Sequence, residues 1–185
     1  MFLFQCHQLK TTFLKSLFTV CLFSASCVLF AQSEYEITTD PNDGNVKILR
    51  GTINKYLIQN DTSFTWYNPN QQNYKPDTAI VNALAKVKGA NIQLIAFCGT
   101  WCEDTQSIMP KFFKLQEMSG VPDNNITLFG VNRMKISLGH IAEALGVINV
   151  PTIIVMKDGK ELGRVVEYGK TGKWDKELAD IINRN

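Results

Sequence analysis

The chain has 185 residues, of which 19 are lysine or arginine and 17 are aspartate or glutamate. This near balance of charge excludes the strongly basic surfaces with which proteins bind nucleic acids or anionic membranes. Only five cysteines are present, and three of them lie within the first 27 residues, so a disulfide-stapled scaffold is excluded as well.

The first 31 residues predict a secretory signal peptide. Lys10 and Lys15 precede an apolar run over residues 16–30, and Ala31 is a small residue of the kind that precedes a cleavage site. The run is shorter than the roughly 18–20 residues that cross a membrane, so no membrane span is expected after cleavage. Cleavage leaves 17 basic residues against 17 acidic ones, and the mature chain is expected in the periplasm or secreted.

Cys27 leaves open a second interpretation of this segment, in which the cysteine carries a lipid. Residues 24–26 are small, as they are before an acylated cysteine. The leucine that usually stands three residues earlier is absent, however, and the sequence behind Cys27 is apolar where a lipoprotein turns polar. A lipoprotein is therefore the less favoured form of export.

Residues 32–75 are predicted to form an extension ahead of the main domain. Segments 35–38 and 46–49 flank a dense turn signal at 40–44 and predict a β-hairpin. A short helix is predicted over residues 52–60. Its expected apolar side consists of Ile53, Tyr56 and Leu57. The aromatic residues that follow are expected to cover the core: Phe64, Trp66 and Tyr67.

The main domain is predicted over residues 76–185 and alternates helices with strands. Its predicted elements are a helix from Pro76 to Gly89, a strand over 92–97, a helix ending at Ser119, a strand over 126–131, a helix from Ser137 to Gly146, strands over 152–156 and 161–167 joined by Asp158-Gly159, and a last helix that buries Trp174, Leu178, Ile181 and Ile182. This order predicts an α/β fold with a right-handed crossover between parallel strands.

The chemistry is concentrated at Cys98 and Cys102, the two cysteines that remain after cleavage. An apolar strand precedes them and a helical pattern follows, so Cys102 is expected at the start of a helix. Free backbone N–H groups and the positive end of the helix dipole favour a thiolate there, whereas the neighbouring Glu103 and Asp104 oppose it. Those carboxylates are expected to point to solvent, where their charge is screened, so the helix end is expected to have the larger effect on the thiol. Cys102 is therefore the candidate nucleophile.

The segment Gly99-Thr100-Trp101-Cys102 resembles the active-site turn of the thioredoxin family. Pro110 in the following helix and Val150-Pro151 ahead of an apolar strand extend the resemblance over the last hundred residues. It implies a thioredoxin fold, in which helices flank a central mixed β-sheet, here with an N-terminal β/α extension. The chain is most similar to exported bacterial members with a single thiol in this motif.

The same resemblance implies a thiol–disulfide oxidoreductase or isomerase that acts through Cys102. It also implies a cis Val150–Pro151 bond, and a groove in which Trp101, Val150 and Pro151 bind an extended substrate by strand addition. The expected partners are a disulfide-containing protein or peptide and an external thiol reductant. No cofactor is expected, and the chain is expected to be a monomer. His140, the only histidine left after cleavage, is not expected to make a metal site.

Two departures from the thioredoxin pattern bear on mechanism. Thr105 stands where the second cysteine is usual, and Ala96 stands where a buried aspartate is usual. The Thr105 hydroxyl is expected to donate a hydrogen bond to the thiolate. Cys98 is either a resolving thiol, which requires the turn to fold back strongly, or a buried structural residue. The rival function is a non-catalytic module that binds peptides or a partner in the same groove.

Overall fold

The computed structural model describes residues 34–184. The strands are β1 (Tyr35–Asp40), β2 (Asp43–Ile53), β3 (Ile92–Cys98), β4 (Ile126–Gly130), β5 (Thr152–Lys157) and β6 (Lys160–Val166). They form one sheet in the order β1-β2-β4-β3-β5-β6, in which β3 and β4 are parallel and the other neighbours antiparallel. The predicted central mixed sheet is confirmed.

Helices lie on both faces of this sheet. They are α1 (Lys55–Gln59), α2 (Tyr67–Gln72), α3 (Thr78–Ala85), α4 (Glu103–Ser119), α5 (Ile141–Ala144) and α6 (Trp174–Asn183), with 3₁₀ turns at Lys86–Gly89, Asp123–Asn125 and Leu138–His140. Local sequence fixes several ends. Asp77 caps α3 by accepting from the Ala79 N–H at 2.8 Å, and Gly120 ends α4 in the left-handed conformation.

The sheet separates two apolar clusters because successive side chains of a strand point to opposite faces. Leu94, Ala96 and Cys98 of β3 belong to the larger cluster, together with residues of α2, α3, α4 and α6. Phe97 belongs to the smaller cluster, which α5 covers. The neighbouring residues Phe97 and Cys98 therefore point to opposite faces of the sheet.

The N-terminal hairpin, β1 with β2, is confirmed, but β2 is longer than predicted. Only Gly51–Ile53 of its 11 residues pair with β4, at Leu128–Gly130. The rest of β2 extends past the end of β4. The backbones of β2 and β4 lie close together there. A Cβ added to Gly130 would lie only 2.3 Å from the Leu49 carbonyl oxygen. The hairpin thus reaches the edge of the sheet where β3 and β4 end.

The helix predicted over 52–60 is wrong in its start and in the burial of Tyr56, whereas Ile53 and Leu57 contact the core as expected. Thr52 and Ile53 belong to β2, and Asn54 caps α1 by accepting from the Leu57 N–H at 3.1 Å. Tyr56 is 51% exposed, whereas Ile58 is fully buried. Asn54 is a strong capping residue, and its position starts the helix three residues later than apolar spacing suggested.

The single helix predicted from Ser137 to Gly146 is also wrong. Gly139 and His140 both have positive φ, which divides the segment into a 3₁₀ turn and the four-residue α5. Ser137 still acts as a cap, since its hydroxyl accepts from the Ala142 N–H at 2.9 Å. Ala142 is fully buried, whereas Ile141 is 37% exposed.

The helix predicted from Pro76 to Gly89 is α-helical over Thr78–Ala85 and continues as the 3₁₀ turn Lys86–Gly89, and the other predicted elements of the main domain are present within a residue or two of their expected bounds. Asp158 and Gly159 both have positive φ and join β5 to β6 in the predicted two-residue hairpin. The signal-peptide and lipid-attachment predictions lie outside the described residues. Within residues 34–184, none of the helices has the length and apolar character needed to cross a membrane.

Candidate active site

Cys102 lies at the junction between β3 and α4. It is the N-cap residue of this 17-residue helix, with extended backbone angles of φ −94° and ψ 125°. Its own N–H donates to the Gly99 carbonyl at 2.8 Å, and its carbonyl accepts from the Gln106 N–H at 3.0 Å. The side chain is half-buried. Cys102 therefore lies at the end of the helix where the first backbone N–H groups are unpaired, and the residue is partly exposed.

The Cys102 thiol faces the loop that precedes β5. Its S–H donates to the Val150 carbonyl oxygen at 3.2 Å, and the Val150–Pro151 peptide bond is cis. Both loop residues are buried. Two further bonds fix the loop: the Glu167 N–H donates to the Pro151 carbonyl at 2.7 Å, and the Thr152 hydroxyl donates to the Asn149 carbonyl at 2.7 Å. The bond from Cys102 exists only while its sulfur carries a proton.

Trp101 packs against Gly99 in the turn that carries Cys102. A Cβ on Gly99 would lie 2.7 Å from the indole ring, so glycine leaves the space that the ring fills. The indole Nε1–H donates to the Val131 carbonyl at 3.1 Å. Two cations flank the ring, with Arg133 Cζ 5.0 Å and Lys135 Nζ 5.9 Å from its centroid. Both distances fall within cation–π range.

Arg133 and Lys135 were missed by the sequence analysis. They lie in the loop that follows β4, and because β3 and β4 are parallel, this loop and the cysteine turn meet at the same edge of the sheet. Two basic residues just after a predicted strand parallel to the cysteine strand were the available signal. The spacing alone did not indicate that they would contact Trp101.

Thr100 fixes the turn to the N-terminal hairpin, which was also not predicted. Its buried hydroxyl donates to the Lys47 carbonyl at 2.7 Å and accepts a longer bond from the Leu49 N–H at 3.4 Å. On the other side, its carbonyl accepts from the Gln106 side chain at 3.0 Å. Thr100 therefore joins β2, the turn and the first turn of α4.

Thr105 connects the start of the turn to the first turn of α4. It is fully buried, and its Oγ1 accepts from the Gly99 N–H at 3.2 Å. That bond occupies the acceptor side of the hydroxyl and keeps the start of the turn close to the first turn of α4. The donation from this hydroxyl to the Cys102 sulfur stays a prediction.

Cys98 is fully buried at the end of β3, and both described cysteines are free thiols. Burial, with a smaller effect of Cys102, raises the pKa of the Cys98 thiol to about 12. Cys98 packs in the larger apolar cluster, whereas Cys102 packs against the smaller one. A bond between the two sulfurs requires at least one of them to leave its cluster. The geometry favours the structural interpretation of Cys98.

Comparison with known proteins identifies the fold family. The thioredoxin family profile matches residues 77–183. The chain belongs to the thioredoxin family. A thioredoxin from Echinococcus granulosus is 30% identical to it over 104 residues, which cover 55% of this chain and 84% of that protein. Membership indicates thiol–disulfide oxidoreductase chemistry in general.

Solved structures of thioredoxins are also similar to this chain. Mitochondrial thioredoxin 3 from Saccharomyces cerevisiae, in its oxidised form, is 22% identical with a TM-score of 0.36, over 54% of this chain and 83% of that one. Fasciola hepatica thioredoxin is 21% identical with a TM-score of 0.39, over 56% and 89%. The predicted thioredoxin fold is confirmed by the family match and by the sheet order.

Measured against the thioredoxin pattern, this site lacks two groups that handle protons and electrons. Thr105 takes the place of the second cysteine and is bonded to Gly99. Ala96 is fully buried in β3, so no carboxylate occupies that position. Within the part of the chain that the structure describes, no three His, Cys, Asp or Glu side chains cluster to hold a metal ion.

Proposed function

We propose that this chain is an exported thiol–disulfide oxidoreductase or isomerase that acts through a mixed disulfide at Cys102. The observation that carries the proposal is the placement of this one thiol. It is half-buried at the N-cap of α4, and its Sγ is 3.2 Å from the carbonyl oxygen of Val150, which precedes the cis-proline. Helix N-termini favour a thiolate, which is the nucleophilic form of cysteine.

The reaction begins when Cys102 loses its proton to solvent. The thiolate attacks one sulfur of a substrate disulfide, so that a bond forms between Cys102 and the substrate while the substrate S–S bond breaks. The released substrate sulfur leaves as a thiolate and takes up a proton from water. Loss of the proton also removes the hydrogen bond to Val150 and frees the sulfur to move toward the substrate.

The second step needs a thiol from outside this chain. Cys98 is fully buried and its pKa is raised to about 12, so it supplies almost no thiolate near neutral pH. If a further cysteine of the substrate, different from the one just released, attacks the substrate sulfur of the mixed disulfide, a new pairing forms, Cys102 leaves as a thiolate and the net reaction is isomerisation. If an external thiol attacks the Cys102 sulfur, the substrate leaves reduced and Cys102 becomes joined to the reductant. A second reductant thiol then attacks the reductant sulfur, so that the two reductant thiols end as a disulfide and Cys102 leaves as a thiolate.

Trp101, Val150 and Pro151 are proposed to bind the substrate beside the sulfur. The half-buried indole ring presents an apolar surface next to Cys102, and the Val150 carbonyl faces the sulfur directly. Ile148, two residues earlier in the same loop, is 78% exposed and lengthens the apolar surface available to an extended peptide. Backbone hydrogen bonds along such a loop bind a strand with little demand on its sequence.

Trapping of the mixed disulfide tests this proposal. The mature chain is mixed with a peptide disulfide, quenched with acid and analysed by mass spectrometry. We expect a one-to-one adduct on Cys102, complete loss of the adduct in Cys102→Ser, and retention of the adduct in Cys98→Ser. Adduct formation that survives Cys102→Ser would contradict the proposal, and a Cys98→Ser variant that accumulates the adduct would instead give Cys98 a resolving role.

A second candidate function is a non-catalytic module that binds peptides or a partner in the same groove. Thr105 and the buried Ala96 favour it, because a second thiol and a proton-shuttling acid are both missing. Titration of the Cys102 thiol against pH separates the two functions. Ordinary thiol behaviour with no trapped adduct, together with measurable peptide binding, would favour the binding module.

Export is proposed from the N-terminal segment. Lys10, Lys15, the apolar run over 16–30 and Ala31 support cleavage after residue 31. The mass of the protein recovered from outside the cytoplasm tests this directly. A mass that corresponds to residues 32–185 supports cleavage, whereas a mass that includes Cys27 with an acyl group would support the lipoprotein instead.

A further inference from the structure

A chain of contacts runs from the N-terminal hairpin to the tryptophan beside Cys102. Asp40, the last residue of β1, has a completely buried side chain, and its Oδ2 accepts from both Nε and Nη2 of Arg133 at 2.6 Å. The guanidinium of Arg133 then lies 5.0 Å from the centroid of the Trp101 ring. A carboxylate, a guanidinium and an indole from three separate segments of the chain thus contact one another in turn.

The charge of Asp40 is not needed for the turn in which it lies. Its Oδ1 accepts from the Asn42 N–H at 2.8 Å, and an asparagine side chain would supply the same acceptor. A buried carboxylate is costly unless it is paired. The charge of Asp40 instead holds Arg133 by an ion pair. The Arg133 side chain is 38% exposed and would otherwise be free to turn into solvent.

Arg133 in turn restricts the indole ring of Trp101. The ring is held by the Nε1–H bond to Val131 at 3.1 Å on its edge and by packing over Gly99 on one side. A guanidinium held by a buried carboxylate keeps a fixed position, and therefore adds a fixed contact to an aromatic ring. Lys135, at 5.9 Å from the same ring, has a flexible stem and constrains the ring less.

We propose that Asp40 and Arg133 are positioning residues for Trp101, and that they keep the indole in place as the apolar wall against which a substrate peptide docks next to Cys102. The effect on disulfide exchange rests on the proposed function of Cys102, whereas the effect on the ring position does not. The N-terminal hairpin thereby becomes part of the substrate-binding side of the site.

The test compares Asp40→Asn and Arg133→Met with Glu36→Gln. Glu36 lies on the same hairpin and pairs with Arg50 at 2.7 Å, so Glu36→Gln makes the same acid-to-amide change without touching the Arg133 contact. The first measurement is hydrogen exchange of the Trp101 indole N–H by NMR, with the signal assigned from a Trp101→Phe variant. We expect exchange about three- to tenfold faster in Asp40→Asn and Arg133→Met, and unchanged in Glu36→Gln.

The second measurement separates positioning from a general loosening of the fold. Cys102 is allowed to react with iodoacetamide, which is small, and with an uncharged peptide dimer joined by a disulfide, which must dock against the ring. We expect the ratio of the peptide rate to the iodoacetamide rate to fall about three- to tenfold in Asp40→Asn and Arg133→Met. A loosened fold would raise both rates together and leave the ratio unchanged.

Unchanged indole exchange and an unchanged ratio in Arg133→Met would overturn the proposal, as would equal changes in Glu36→Gln. Arg133→Met leaves the buried Asp40 carboxylate unpaired, so if either single variant fails to fold, the double variant Asp40→Asn with Arg133→Met, which removes both charges, decides. If the peptide forms no adduct with Cys102 even in the unaltered chain, the proposed function fails, and indole exchange still reports whether the two residues hold the ring.

Discussion

Cys98 at the end of β3 and Cys102 at the start of α4 are four positions apart, and the structure gives their sulfurs opposite surroundings. Cys98 is fully buried in the larger apolar cluster, and burial raises its pKa to about 12. Cys102 is half-buried, caps a helix and donates to a carbonyl that borders the proposed groove. The helix α4 packs on the same larger cluster as Cys98, but the Cys102 side chain at its start packs against the smaller cluster, and this difference separates a packing residue from a chemical one.

The largest expected effect is a difference in thiol labelling. With iodoacetamide under native conditions, we expect Cys98 to react more than about 1,000-fold more slowly than Cys102, because Cys98 is reached only when the core opens. Mass spectrometry of the digested protein gives both rates. Comparable native rates would remove the contrast on which the assignment of Cys102 depends, and equal labelling in concentrated urea is the control for intrinsic reactivity.

The turn itself is tested by Gly99→Ala. The added Cβ would lie 2.7 Å from the Trp101 ring, so either the ring or the backbone must move, at a cost of about 3 kcal/mol in the free energy of unfolding. Gly44→Ala is the matched control, because no atom lies within 4 Å of the Cβ it would add. Urea denaturation measures both variants. A loss that is no greater in Gly99→Ala than in Gly44→Ala would show that the ring is not held over the turn.

Serine substitution contrasts the two sulfurs in terms of stability. In Cys98→Ser the hydroxyl is placed in an apolar cluster, which we expect to cost about 2 kcal/mol. In Cys102→Ser the side chain is half-buried and the new hydroxyl can still donate to Val150, so we expect a change within about 0.5 kcal/mol. Denaturation midpoints that rank the two variants in the opposite order would contradict the structural role of Cys98.

Thr105→Val should produce a smaller loss of about 1 kcal/mol. Valine keeps the shape of the side chain but leaves the Gly99 N–H without the acceptor it has at 3.2 Å. Thr105→Ser keeps that acceptor and serves as the control. The same pair tests the predicted hydrogen bond to the thiolate: if the hydroxyl donates to Cys102, iodoacetamide labelling near neutral pH slows in Thr105→Val and not in Thr105→Ser.

The smallest expected effect is a pH dependence of the free energy of unfolding that arises from Asp40 in the N-terminal hairpin. Burial acts to raise the pKa of Asp40, but its bond from Asn42 and the Arg133 guanidinium outweigh burial and hold that pKa below the ordinary 3.8. A depressed carboxyl pKa contributes stability above pH 3.8 that is lost as the pH falls through the lower, folded value. The free energy of unfolding of the unaltered chain, minus that of Asp40→Asn, should therefore decline only below about pH 4. A flat difference would contradict the pairing.

The sequence was sufficient for the features that local rules decide. Asp77 and Gly120 mark the ends of their helices through capping preferences, and the apolar runs that became β3 and β5 needed no long-range information. The position of Cys102 at a helix start belongs to this class. The apolar spacing around His140 misled the prediction because two residues with positive φ interrupt the helix, and spacing carries no record of backbone angles.

The remaining features depend on contacts between distant segments. Thr100 meets Lys47 across 53 positions, and Arg133 meets Asp40 across 93. Both contacts follow from the length of β2 beyond its pairing with β4, which the turn signal at 40–44 did not reveal. Thr105 was placed correctly on the helix, but only the shape of the turn shows that its hydroxyl bonds to Gly99.

The passage of β2 over the end of β4 has a consequence for any shortened form of the protein. A chain that began at residue 77 would keep the whole family-matched region and every proposed catalytic residue. It would lack the hairpin residues that bond to Thr100 and Arg133. Loss of β2 would also make β4 the outer strand of the sheet, with unpaired backbone groups along one side. Such a fragment is expected to self-associate along that strand.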